Sequence, residues 1–258
     1  MGTVLVTGAS AGIGAAFARH FALAGDRLVL VARNAARLEQ ARPALLAAGA
    51  PDVQVLPADL TDPEQRSHVA ARLRDTARPV DILVNNAGKG LGKGFAAATD
   101  AELLDQLELN VTAVMLLTHA ALPGMIARRH GGVINIASVP GLLPGRGSAY
   151  SASKAWVIAF TEGIAMSLRG TGVHMVAVCP GFVHTEFHER ADIDMVGKPE
   201  ALYVNVDTVV TQSLDALRAG RPMVVPGPLY KSVTLAAKLA PRSLVRRVAY
   251  LVDKDTRT

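Results

Sequence analysis

Seven short apolar runs punctuate the chain, at Thr3–Thr7, Arg27–Ala32, Val53–Pro57, Val80–Val84, Gly132–Ala137, Val173–Val178 and Met223–Val225. Each is rich in Val, Leu or Ile with little polar alternation, which suits strands buried on both faces of a sheet. Helical periodicity fills the intervals, at 13–23, 34–48, 62–77, 100–128, 149–169 and 206–219. This rhythm predicts an α/β fold: one doubly wound parallel sheet of about seven strands, helices on both faces, and ligands at the carboxyl ends of the strands. Thr99-Asp100-Ala101-Glu102 has the form of a capping box opening the long helix, and Pro123-Gly124 is expected to kink or end that helix early. No internal repeat or low-complexity linker interrupts the pattern.

Composition narrows the class. With 258 residues, 50% hydrophobic and 19% charged, the chain can bury one large core and is unlike a disordered sequence. One cysteine, Cys179, allows no disulfide within the chain and fits a reducing, cytoplasmic setting. Met1-Gly2 runs straight into the first strand without a basic and then apolar leader, so no signal peptide is expected. No run of ~18 apolar residues suggests a membrane span.

The net charge of +5 is localised. From Pro228 onward there are seven basic residues and two acidic ones, while residues 1–227 carry twenty of each sign. We therefore expect a catalytic domain at 1–227 and a basic helical extension at 228–258, and no nucleic-acid binding by the core. Beyond Pro241, Leu244, Val245, Val248, Leu251 and Val252 can share a helical face from which Arg242, Arg246 and Arg247 are largely excluded. Such a segment either packs on the domain or a second subunit, or rests weakly on an anionic membrane surface.

The candidate chemistry gathers at the ends of the strands. The first strand leads into Thr7-Gly8-Ala9-Ser10-Ala11-Gly12-Ile13-Gly14 and then a helix, a turn whose glycines let a pyrophosphate approach the helix amino terminus. At the end of the second strand stands Arg33, where an acid would select NAD and an arginine can hold the 2′-phosphate of NADP. Asp59 follows the third strand and could accept from an adenine amino group. Asn85-Asn86-Ala87-Gly88 follows the fourth, with amides able to tie loops together, and Lys89–Gly94 reads as a mobile rim loop. Asn110 lies mid-helix, where an amide is poorly suited unless it has a task. Ser138 falls just past the fifth strand, and Cys179-Pro180-Gly181 ends the sixth, with Thr185 beyond. Tyr150 and Lys154 sit one helical turn apart, and a cation there would favour the phenolate and lower a pKa that is otherwise about 10. His184 and His188 have zinc-like spacing but no third ligand nearby, so no metal is expected.

In this order and context, Thr7–Gly14, Asn85–Gly88, Asn110, Ser138, Tyr150 with Lys154, and Pro180-Gly181 with Thr185 resemble the short-chain dehydrogenase/reductase family over residues 3–227. The resemblance implies a Rossmann-type fold and an oxidoreductase moving a hydride between a nicotinamide cofactor and a carbonyl or secondary alcohol. It makes Tyr150 the proton donor and Ser138 the hydrogen-bond partner of the same oxygen. Lys154 would lower the Tyr150 pKa and hold the nicotinamide ribose, and Asn110 would position a water in the proton relay. Cofactor contacts fall to Gly8, Ser10, Gly12, Ile13 and Gly14, to Arg33, Asp59 and Leu60, to Asn86, Ala87 and Gly88, and to Pro180, Gly181, Val183 and Thr185, besides Tyr150 and Lys154. Arg33 tilts the cofactor toward NADP(H), although Ala11 stands where NADP-preferring relatives often carry a base. The family also implies a homodimer or homotetramer through the 100–128 and 149–169 helices.

Val139, Leu142, Leu143, Phe182, Phe187 and Met195 would make the substrate pocket apolar, suiting a hydrophobic ketone or secondary alcohol. The alternatives are a 3-oxoacyl thioester reductase, with Lys89, Lys93 or Arg146 meeting a carrier's phosphate, and a non-catalytic NADP-binding regulator. The complete Ser138–Tyr150–Lys154 set argues against the regulator, which needs no proton relay.

Overall fold

The computed structural model describes residues 2–143, 149–185 and 199–240. Its seven strands lie within two residues of the apolar runs: β1 Thr3–Thr7, β2 Arg27–Ala32, β3 Val53–Pro57, β4 Ile82–Asn85, β5 Gly131–Ile136, β6 Val173–Val178 and β7 Met223–Val224. All pair in parallel in the order β3-β2-β1-β4-β5-β6-β7. Successive residues of one strand feed opposite cores: Val4 and Val6 join Phe17, Phe21, Leu38 and Leu214 on one face, and Leu5 joins Val69, Leu73 and Leu117 on the other. Both faces are covered, so polar alternation has no place in these strands.

Local signals set the helix starts. Helix α1 (Gly12–Leu23) follows the glycine turn; α2 (Ala35–Ala47) is capped by Asn34; α3 (Pro63–Arg74) is capped by Asp62, with proline in its first turn. Helix α4 (Asp100–Leu107) opens with the expected capping box between Thr99 and Glu102. A π-helical turn at Glu108–Thr112 joins it to α5 (Ala113–Arg128). The early end expected at Pro123-Gly124 does not occur: the helix runs to Arg128 and stops at Arg129, which is left-handed at φ 54. An internal proline costs about 3 kcal/mol, and burial of Leu117, Ala120, Ala121 and Met125 outweighs it. The combined Asp100–Arg128 helix is long and apolar enough in composition to cross a membrane, but those same side chains pack it into the domain as a core helix.

Helix α6 (Ala149–Ser167) carries Tyr150 and Lys154, and α7 (Val206–Arg218) covers the face shared with α1. Helix α8 (Pro228–Leu239) packs against the hydrophobic core through Tyr230, and its Thr234 is buried. The amphipathic pattern after Pro241 lies outside the described residues, as do Arg146, Phe187, His188 and Met195.

Candidate active site

Strand order reverses between β1 and β4, and the loops leaving these two strands open a crevice. They are latched together. Thr7 Oγ1 donates to Val84 O (3.3 Å) and accepts from the Asn86 and Ala87 N–H groups (2.9 and 3.0 Å). Asn86 Nδ2 returns to Thr7 O (2.9 Å) and Gly8 O (3.2 Å), the loop-tying role expected of the amides. A Cβ on Gly8 would stand 2.7 Å from Asn86 Nδ2, and one on Gly14 only 2.3 Å from Gly8 O, so this latch closes only around glycine. Ala11, the N-cap of α1, offers no side-chain acceptor to the first-turn N–H groups, which leaves them suited to an anion.

The resulting cleft of about 630 Å³ brings together almost all the sequence-predicted residues: Gly8, Ser10, Gly12 and Ile13 on the first loop, Arg33, Asp59 and Leu60 after β2 and β3, Asn86–Gly88 after β4, Ser138 after β5, Tyr150 and Lys154 on α6, and Pro180, Gly181, Val183 and Thr185 after β6. Gly14 and Asn110 stand behind this lining, where they shape it. The Tyr150 hydroxyl is hydrogen-bonded to Ser138. Lys154 Nζ lies 5.8 Å from the Tyr150 ring centroid and donates to Ile136 O at 2.8 Å. A Cβ on Gly88 would come within 3.3 Å of Lys154 Nζ and 3.2 Å of Asn110 Oδ1, so glycine there keeps open the space over the ammonium. A nicotinamide dinucleotide fits this donor set and this shape.

Electrostatics depart from the sequence reading. Burial pushes the Tyr150 phenol up to about 12, against the downward pull of the Ser138 hydrogen bond. Tyr150 is half-buried and lines the cleft, so contact with solvent moderates that rise. The depression by Lys154 expected from spacing alone is not the dominant influence. Desolvation instead lowers Lys154 itself from 10.5 to about 8.

Asn110 is fully buried within the π-helical turn. Its Oδ1 accepts from Lys89 N–H (2.9 Å), and its Nδ2 donates to Lys89 O (2.9 Å) and Ser153 Oγ (3.2 Å). Ser153 Oγ donates in turn to Tyr150 O (2.7 Å). The amide therefore braces the rim loop and the first turn of α6. Ser153 escaped the sequence reading although it lies three residues from Tyr150 on the same helix.

The rim loop is pinned. Lys89 pairs with Asp105 and Lys93 with Glu102 (2.7 Å), and the Lys93 and Thr99 contacts hold the Glu102 carboxyl at about 2. Burial, and then the neighbouring Arg33, pulls Lys89 below the usual lysine range. Where the loops after β2 and β3 line the cleft, Arg33 is largely exposed, with Nη1 3.9 Å from Asp59 Oδ2, a contact too solvated to restrain it strongly. Arg37, one turn further along α2, lines the same cleft and was missed, although the i,i+4 spacing of two arginines was visible. The buried Arg66 was missed too: its guanidinium joins Leu60 O (2.8 Å) to Glu108 Oε2 (2.8 Å), linking the loop after β3 to the π-helical turn.

Other expectations move. Val139 packs into the core with Val114 and Val157, and Leu142 and Leu143 pack against that cluster. His184 Nε2 meets Glu200 Oε1 at 3.0 Å and its ring stacks on Tyr203. Among the described residues no three His, Cys, Asp or Glu side chains converge.

A doubly wound sheet with a glycine-rich first turn at the switch point, and Ser138, Tyr150 and Lys154 lining the same cleft, defines a dinucleotide-binding oxidoreductase. The chain belongs to the short chain dehydrogenase family, whose model matches residues 2–195, and the family uses a nicotinamide cofactor. It is 43% identical over 195 residues to granaticin polyketide synthase putative ketoacyl reductase 1 from Streptomyces violaceoruber, covering 72% of this chain and 69% of that protein. A short-chain dehydrogenase from Sphingobium yanoikuyae, solved in complex with NADPH, superimposes with a TM-score of 0.84 at 35% identity, covering 92% of this chain and 94% of that one. The bulky-bulky ketone specific alcohol dehydrogenase from Comamonas testosteroni follows at TM-score 0.79 and 28% identity, with 92% of each chain covered.

Proposed function

We propose that the protein is an NADP(H)-preferring reductase of hydrophobic ketones, acting reversibly on the matching secondary alcohols. The observation that carries this reading is the Tyr150 hydroxyl on Ser138 with the Lys154 ammonium beside the ring, in a cleft lined by the glycine turn. A nicotinamide cofactor, when bound in this cleft, would supply the hydride. Ser138 orients the carbonyl oxygen, and Tyr150, protonated at neutral pH, donates the proton that completes the alcohol. Lys154 stabilises the phenolate left behind and faces the space kept by Gly88. Asn110 and Ser153 hold the helix and the rim loop in register. Leu91 and Leu109 add apolar surface to the cleft, consistent with a hydrophobic substrate.

The NADP preference rests on Arg33 and Arg37 at the adenosine end and on the absence of an acid where β2 ends. Reduction of a 3-oxoacyl thioester is the second reading, favoured by the name of the Streptomyces relative. Of the cations that would serve a carrier's phosphate, Lys89 and Lys93 are already paired with carboxylates. We further propose a homodimer or homotetramer, because α4 and α5 expose Leu104, Leu107, Met115 and Leu116 to solvent. Following NADPH and NADH oxidation against ketones, aldehydes and acyl thioesters, with Tyr150→Phe as control, tests the assignment. Activity confined to thioesters would select the second reading, and activity undiminished in Tyr150→Phe would reject both.

A further inference from the structure

Helix α8 lies outside the stretch that carries the family resemblance, yet it reaches the wall of the cleft. The Tyr230 ring lies flat behind Gly181: a Cβ on Gly181 would stand 2.0 Å from that ring. Its hydroxyl accepts from the Phe182 N–H (3.3 Å) and donates to Leu202 O (2.9 Å). Phe182 is bridged to Tyr203, and Val204 N–H donates to Phe182 O at 2.7 Å. One phenol therefore joins the strand-like segment at Phe182 to its partner at Leu202–Val204. At the other end, Val139 N–H donates to Pro180 O (3.0 Å), tying the wall to the loop that carries Ser138.

We propose that Tyr230 is a positioning residue for the nicotinamide end of the cleft, bracing the Pro180–Thr185 wall from behind through the Gly181 and Phe182 backbone. This rests on the cofactor reading given above. Pro180, Gly181, Val183 and Thr185 line the same cleft as Tyr150 and Lys154, so a displacement of the wall alters the space beside the proton donor. The need for glycine at 181 then comes from the ring behind the wall. Burial raises the Tyr230 phenol above its ordinary range, so it remains a neutral donor to Leu202 O. The far end of the cleft is lined by the loops after β1, β2 and β3 and is held by other contacts, among them the Arg66 bridge from Leu60 O to Glu108.

The test compares Tyr230→Phe with the wild-type chain by calorimetric titration of NADPH and NADH and of 2′-phospho-ADP-ribose and ADP-ribose, the fragments that lack only the nicotinamide of each. Loss of the bracing hydroxyl should weaken the better-bound dinucleotide about tenfold while binding of its fragment stays within about twofold. The kcat for carbonyl reduction should fall with it, with the melting temperature nearly unchanged. A purely structural role would weaken dinucleotide and fragment alike, and that result, or wild-type affinities throughout, overturns the proposal. A wild type that binds no dinucleotide overturns it together with the cofactor reading, whereas the variant's failure alone leaves that reading standing. Should Tyr230→Phe not fold, amide exchange in the wild type decides: a slowly exchanging Phe182 N–H that gains protection from NADPH but not from 2′-phospho-ADP-ribose supports the brace, and a rapidly exchanging one refutes it.

Discussion

The buried Lys154 should impose a pH limit on carbonyl reduction. Desolvation lowers its ammonium from the usual 10.5 to about 8, while Tyr150 rises to about 12. Between pH 7 and pH 9 the phenol therefore stays protonated and only the lysine titrates. With a pKa of about 8, the charged fraction falls from roughly nine-tenths at pH 7 to roughly one-tenth at pH 9. If the ammonium must stabilise the developing phenolate, kcat/KM falls about tenfold over that interval, and kcat/KM reports the groups of the free enzyme. The stability contribution of the same group runs the other way. Between pH 8 and 10.5 the unfolded chain binds the lysine proton more tightly than the folded one, so this group adds stability as pH rises through that window. Unfolding driven by Lys154 thus cannot mimic the loss of rate. The assay is initial-rate NADPH oxidation with a ketone of pH-independent chemistry, in the wild type and Lys154→Met. The variant should lose most of its rate and the alkaline limb with it. A flat profile from pH 7 to 9.5, or the same limb in Lys154→Met, would show that the lysine does not act through its charge.

Tyr150→Phe should lower turnover at least ~100-fold while thermal melting and cofactor titration stay close to wild type, because only the proton donor is removed. Arg33→Asp should move cofactor selectivity toward NADH by about ten- to a hundred-fold, the value of one charge-assisted phosphate contact, and equal wild-type affinity for NADH and NADPH would refute the basis for it. Leu104→Lys combined with Leu116→Lys should shift the size-exclusion profile to a smaller species if α4 and α5 form the subunit interface; an unchanged profile would point to another surface.

The fold class was written in the chain because its signals are local. Seven short apolar runs without polar alternation, rich in Val, Leu and Ile, read as strands covered on both sides, and the Asn34, Asp62 and Thr99 caps mark where helices begin. The glycine turn, Ser138 and the Tyr150–Lys154 pair were equally legible, since a strand end or one helical turn sets each spacing. Sequence could not say which influence on Tyr150 wins, because desolvation depends on what surrounds the ring and not on a neighbour four residues away. Nor could it show that Asn110 clamps Lys89 through a π-helical turn, a backbone irregularity with no residue signature, while the proline that looked like a breaker at 123 is overridden by core packing. Arg66 and Tyr230 belong to the same class. Arg66 reaches Glu108 across 42 positions and Tyr230 reaches Phe182 across 48, so neither has a local pattern to betray it. The sequence by itself determined the sheet, the turn that can receive a dinucleotide and the placing of Ser138, Tyr150 and Lys154; tertiary structure alone decided their protonation, their bracing and the part taken by α8, because those depend on contacts between segments far apart in the chain.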